Sequence, residues 1–188
     1  RRSSDLFNWI GSTGADNEVV FAWRSTGVKT VEDLRKKELI LGGTGPGSSI
    51  VIIPTVMNNV LGTKFKIVIG YKSSNDVFLA MERGEIQARD GSYASIVAGY
   101  PSWIKENKLV FLAQEGLKRD KALPDVPLLT ELAQTDEQRA ILKLISSPSA
   151  LGQPYLAPPE TPKDRVAILR KAFDDTMQDK AFLTDAEK

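Results

Sequence analysis

The 188-residue chain carries 25 basic against 24 acidic side chains, a formal net charge of +1, and neither cysteine nor histidine. That balance supplies no field for steering nucleic acid or an anionic membrane. Without Cys there is no disulfide framework or thiolate site, and without His the commonest general base and zinc ligand are missing.

The chain opens at Arg1-Arg2-Ser3-Ser4, with no initiator Met and no apolar signal segment, so export is not readable from it. Apolar runs such as Ile50 to Ile53 have the length of buried elements, well short of the ~18 residues of a membrane span. In chain order, Glu18–Trp23 reads as a strand ended by Ser25-Thr26-Gly27. Thr30-Val-Glu-Asp33 reads as a capping box, with Asp where Glu or Gln is usual. A second strand, Leu39 to Gly42, runs into Gly43-Thr-Gly-Pro-Gly-Ser48. Ser48 or Ser49 caps a helix to about Val60, in which Pro54 predicts a kink or an early end.

Phe65 to Ile69 is a third strand. Asn75 is the expected cap of the next helix, which carries Val77, Phe78 and Met81 on one face. Glu85 to Ala88 predicts a short strand and Leu109 to Ala113 a stronger one. This β-α-β-α alternation predicts an α/β sheet with helical crossovers. After Gly116 the character changes. Leu123-Pro-Asp-Val-Pro127 is extended, and Thr135-Asp-Glu-Gln138 opens a helix with Ile141, Leu142 and Ile145. Gln153 to Ala157 is one more strand. Thr161-Pro162 then places a cap and a first-turn proline before a helix striped with Val166, Leu169, Phe173 and Met177.

The glycine-rich turn at 43–49 is the most informative segment, because backbone N–H groups between a strand and a helix can point at an anion. Nucleotide motifs fail there in detail. Ser48 stands where a P-loop needs lysine, and Ile50 where the dinucleotide fingerprint needs glycine. Thr44, Gly45, Gly47, Ser48 and Ser49 are therefore candidate contacts to a ligand anion, against the plain alternative of a tight turn. Tyr71 and Lys72 also follow a strand, as do Asp90, Ser92 and Tyr93, with rim or capping roles as the plain alternatives. No catalytic set is expected: Ser48 and Ser49 lack both the G-x-S-x-G setting and a histidine. No metal site and no cofactor is expected either, since no calcium-loop pattern occurs.

Several stretches together resemble one family. Thr30-Val-Glu-Asp-Leu34, the glycine-serine loop, Gly70-Tyr-Lys72 and Met81-Glu-Arg-Gly-Glu-Ile86 occur in a familiar order. Leu123-Pro-Asp-Val-Pro127 and Ala157-Pro-Pro-Glu-Thr-Pro162 follow. From about Asp5 onward the chain resembles the extracytoplasmic receptors of tripartite tricarboxylate transporters, the Bug family. The resemblance implies a type II periplasmic-binding-protein fold, with two α/β lobes that close over a small organic acid. It implies a periplasmic location and delivery to membrane transporter subunits. It implies carboxylate binding through loop N–H groups, hydroxyls and ordered water at the candidate residues, with Asp90 in a segment that departs from the commonest family pattern.

Family members extend further at both ends. The expectation is one nearly complete second lobe over residues 12–115, with 1–11 and 116–188 as crossing segments and a partial first lobe in a truncated copy. Apolar stripes such as Leu169 and Phe173 are then expected to be under-buried, or covered in a homo-oligomer. Two alternatives share parts of this pattern: the effector domain of a LysR-like regulator, and a hydrolase with an unconventional serine.

Overall fold

The computed structural model describes residues 7–14 and 17–186, so Arg1 to Ser4 and Asp5 lie outside the described residues. The chain divides into two units, 17–150 and 7–14 with 151–186. Strand β1 (Asn8–Ser12) opens the smaller unit. The larger unit then runs β2 (Glu18–Trp23), α1 (Val31–Lys36), β3 (Leu39–Gly43), α2 (Ser49–Val56), β4 (Phe65–Ile69) and α3 (Ser74–Glu82). It continues with β5 (Ala88–Ser92), α4 (Tyr93–Gly99), α5 (Pro101–Lys105), β6 (Leu109–Glu115) and α6 (Asp136–Ser146). Strand β7 (Pro154–Ala157) and helices α7 (Lys163–Gln178) and α8 (Lys180–Ala186) complete the smaller unit. Among the described residues no helix is long and apolar enough to cross a membrane.

The five strands of the larger unit are ordered β4-β3-β5-β2-β6. Strand β3 runs parallel to β4 and to β5, while β2 lies antiparallel to both β5 and β6. The expected α/β sheet is thus mixed. Its central strands are apolar on both faces, which follows from having helices on both sides. One face packs Val20, Leu41 and Ala88 against α1, α2 and α6 through Leu34, Ile53 and Leu142. The other packs Val19 and Phe21 against α3, α4 and α5 through Phe78, Ile96 and Trp103. Trp23 and Trp103 meet there with ring centroids 4.5 Å apart.

Local expectations are corrected at four places. Strand β5 occupies 88–92 rather than 85–88; its Arg89 and Asp90 break the apolar pattern, so the pairing with β2 decides the register. Ser73, not Asn75, caps α3 by accepting from the Asp76 N–H. Pro54 does not end α2, which passes into a π-helical turn over Met57–Leu61 and stops at Gly62 with φ 71°. Helix α7 starts after Pro162, which is the cap residue itself. The Thr30–Asp33 box forms as read, each side chain bonding the other's backbone N–H.

In the smaller unit β1 pairs antiparallel with β7, and α7 packs on β1. Gly11 is required there, because a Cβ would stand 2.3 Å from the Phe173 ring. Val166 is buried and Phe173 half-buried, whereas Ile168, Leu169 and Leu183 are exposed.

The segment 116–127 is tied to the sheet of the larger unit by the buried amide of Gln114, alongside an Asn17 bond to the Lys118 carbonyl and the Gln114 N–H bond to the Pro127 carbonyl. Gln114 accepts from Asn17 Nδ2 (2.8 Å) and from the Asp120 N–H (2.7 Å), and it donates to the carbonyls of Leu123 and Val126. A side chain that satisfies four groups at once is costly to remove, because each enclosed group left unbonded costs about 1–3 kcal/mol. Gln114→Leu is therefore expected to lower the unfolding free energy by about 3 kcal/mol in urea titrations. A loss under about 1 kcal/mol would show that this segment is held by other contacts.

Candidate ligand site at the carboxyl end of the sheet

Because β3, β4 and β5 are mutually parallel, their carboxyl ends share one edge of the sheet, and α2, α3 and α4 all start there. Open α/β sheets bind ligands outside this edge. A cavity of about 580 Å³ lies there, wholly inside the larger unit. Its wall is built from Ser49 and Ile50 at the start of α2, Ser74, Asn75 and Phe78 of α3, and Arg89, Gly91 and Ser92 of β5. Ser95, Gly99, Tyr100 and Glu18 complete it. The leading N–H groups of α2 and α3 have no intrahelical acceptor, and both helix dipoles add positive potential at the same edge.

The alternation of a strand sends Arg89 and Asp90 to opposite faces of β5. Arg89 is only 3% exposed, with its guanidinium carbon 3.6 Å from the Phe78 ring centroid. Its Nη2 bonds the Ser74 hydroxyl, while Nε and Nη1 make no hydrogen bond. Burial pushes its pKa down to about 10, still well above neutrality, with Asp90 opposing the shift.

On the other face Asp90 is fully enclosed beside Glu115 and Glu18, the carboxylate oxygens of the three lying within 4.8 Å of one another. Burial, then Glu115, raises Asp90 well above the usual carboxylate range. Burial likewise raises Glu115 to about 7, with the Asp90 hydrogen bond pulling it down. Two enclosed carboxyl groups in contact favour holding a proton between them, and both shifts run in that direction.

The residues singled out in the sequence are distributed around this edge. Ser49 and Ser92 lie on the cavity wall, and Ser92 also caps α4 by accepting from the Ser95 N–H. Thr44, Gly45, Gly47 and Ser48 form the turn leading into α2. The Thr44 carbonyl accepts from the Gly70 N–H, and the Ser48 hydroxyl donates to the Gly45 carbonyl. Tyr71 packs half-buried beside Gly42 in the α3-side core, and Lys72 is exposed. Tyr93 lies edge-on against Phe111 with centroids 5.4 Å apart. Asp90 is enclosed behind the strand. Sequence reading missed Arg89, Gly91, Ser74 and Phe78; two charges side by side directly after an expected strand are the signal that marks Arg89.

The sequence model for the tripartite tricarboxylate transporter family receptor matches residues 26–187, and the chain belongs to this family. No curated protein matches the sequence. Among solved structures, one described as a periplasmic transporter is similar at 22% identity with a TM-score of 0.67, over 96% of this chain and 57% of that one. MatC from Rhodopseudomonas palustris, solved with bound malate, is 19% identical with a TM-score of 0.59, over 90% of this chain and 54% of its own. An R. palustris protein solved with adipate is 15% identical with a TM-score of 0.56, over 93% and 69%. The fold is that of a type II periplasmic binding protein, and the chain spans a little over half the length of the first two of these proteins.

The enclosed acid pair leaves a mark on stability. Glu115 has a folded-state pKa of about 7 against an ordinary value of 4.5, so across that interval the native state holds more protons than the unfolded chain. Stability therefore falls as pH rises through the window. The urea midpoint is expected to be higher at pH 5 than at pH 8, and Glu115→Gln to flatten that slope. An equal slope in the variant would show that the pair does not titrate there.

Proposed function

We propose that this chain is the ligand-binding part of an extracytoplasmic receptor that captures a small organic carboxylate for a tripartite tricarboxylate-type transporter and catalyses no reaction. The observation that carries this reading is the convergence of two helix starts, several hydroxyls and one enclosed guanidinium on a single cavity at the carboxyl end of the sheet. Every one of these features except Glu18 favours an anion. The cavity volume falls within the range of small-molecule sites. The malate and adipate bound by two similar proteins are ligands of this kind. Family membership supports the transporter partnership and the periplasmic location.

In this reading residues 17–150 are one binding lobe, and β1, β7, α7 and α8 belong to the other. Thr44, Gly45, Gly47, Ser48, Ser49 and Ser92 offer N–H groups and hydroxyls to the ligand, with Tyr71, Lys72 and Tyr93 around the rim and Asp90 behind it. A Cβ at Gly45 or Gly47 would meet no atom within 4 Å, and neither has a left-handed φ. Packing does not demand glycine at either position, which suits a turn that a ligand approaches closely.

A thermal-shift comparison with malate and adipate tests the proposal. Ligand at about 100 times its dissociation constant adds roughly 2.7 kcal/mol, which moves the midpoint by several degrees. Ser49→Leu is expected to abolish the shift while barely changing the unliganded midpoint, because the position is exposed. A shift that survives this substitution would place the ligand elsewhere, and no shift with any small carboxylate would count against the receptor reading.

A further inference from the structure

The two guanidinium nitrogens of Arg89 that lack partners are the largest unmet polar requirement on the cavity wall. A buried cation without a directly bonded counterion is costly, and among the described residues no carboxylate forms an ion pair with it, although Asp90 and Glu18 attract it at longer range. Asp90, its chain neighbour, lies on the opposite face of the strand, beside Glu115 and Glu18. Tyr100 and Phe78 are the aromatic neighbours of the guanidinium, and neither is an anion at neutral pH.

The strand also leaves an opening toward the group. Gly91 lies on the cavity wall on the same face as Arg89, and a Cβ added there would stand 3.5 Å from the guanidinium carbon and Nη2. A larger side chain at 91 would cover the charge. With glycine there, no side chain at 91 stands between that side of the guanidinium and the cavity wall to which both residues belong.

We propose that Arg89 takes one carboxylate of the ligand as its ion-pair partner, and that it thereby sets the demand for a negative group at that end of the ligand. This rests on the carboxylate-receptor reading above. It adds a direct charge contact to binding by N–H groups and hydroxyls, and it fixes an orientation, because Glu18 on the same wall repels a carboxylate from its own side. The ligand class that satisfies the whole cavity is a diacid, one carboxylate on Arg89 and the other at the start of α2. The competing explanation is purely structural: the guanidinium stacks on Phe78, bonds Ser74 and fills space.

Titration calorimetry separates the two. The probes are malate or adipate, whichever gives the larger thermal shift, and its monoamide, which keeps the shape and removes one charge. The wild-type chain should prefer the diacid. Arg89→Gln should weaken the diacid by on the order of 10- to 100-fold, the range of a charged hydrogen-bonded contact, and bring the two ligands to nearly equal affinity. Gly91→Leu should also abolish diacid binding with the charge left in place. Should Arg89→Gln fail to fold, the wild-type chain still decides the matter by nitrogen NMR. The Arg89 Nε–H resonance, identified by its absence in Arg89→Lys, should move on adding the diacid.

Equal loss of both ligands in Arg89→Gln, or a resonance that stays still while the diacid binds, overturns the inference and leaves the receptor reading intact. Wild-type protein that binds neither malate nor adipate overturns both.

Discussion

A single strand, β5, buries a guanidinium on one side and a carboxyl on the other at consecutive positions, and the electrostatics of the candidate site follow from that alternation. Had the two charges shared a face they would have paired, and the cavity would be electrically quiet. The sheet keeps them apart. Asp90 is left to share a proton with Glu115, and Arg89 is left on the cavity wall with a ring beneath it and a hydroxyl at one nitrogen.

The topology explains why these features meet at one edge. Strands β3, β4 and β5 run the same way, so each delivers its chain to the same rim before turning into a helix. The close packing beneath that rim depends on missing side chains. A Cβ on Gly42 would come within 2.5 Å of Ile86, and one on Gly43 within 2.3 Å of Val51, so β3 presses against its neighbours where it enters the turn. The antiparallel β2 contributes differently. Its first residue, Glu18, pairs with Ser92 and Glu115, which brings an acidic side chain to the same rim, beside Asp90 and Glu115.

Much of this was legible in the sequence, for physical reasons that differ between elements. The strands β2 and β3 announce themselves because central strands covered on both faces need continuous apolar runs, and the edge strands β4 and β6 because they are short runs rich in β-branched and aromatic residues. The Thr30 cap is legible because its bonds are local. The glycine-serine turn is legible as an anion site because strand, turn and helix start are contiguous. Strand β5 was placed too early because its pairing partner, not its own composition, fixes its limits. Arg89 and Gly91 were illegible as a pair, since their relation depends on which way β5 faces. The antiparallel course of β2, a long-range matter, was equally hidden.

The enclosed acids bear on the guanidinium through charge. A carboxylate next in sequence to an arginine is the obvious counterion, and in solution it would serve. Here burial and Glu115 raise the Asp90 pKa well above the usual carboxylate range, and its side chain lies on the other side of the strand from the cation, where it makes no ion pair with it. The Arg89 charge survives the same burial, because a pKa near 10 leaves it protonated at any physiological pH. The fold thus turns the neighbouring acid to the other face of the strand and retains the cation on the cavity wall. An internal ion pair has been exchanged for a site whose missing half is an anion, and among small molecules a carboxylate presents the planar, bidentate geometry that a guanidinium matches best.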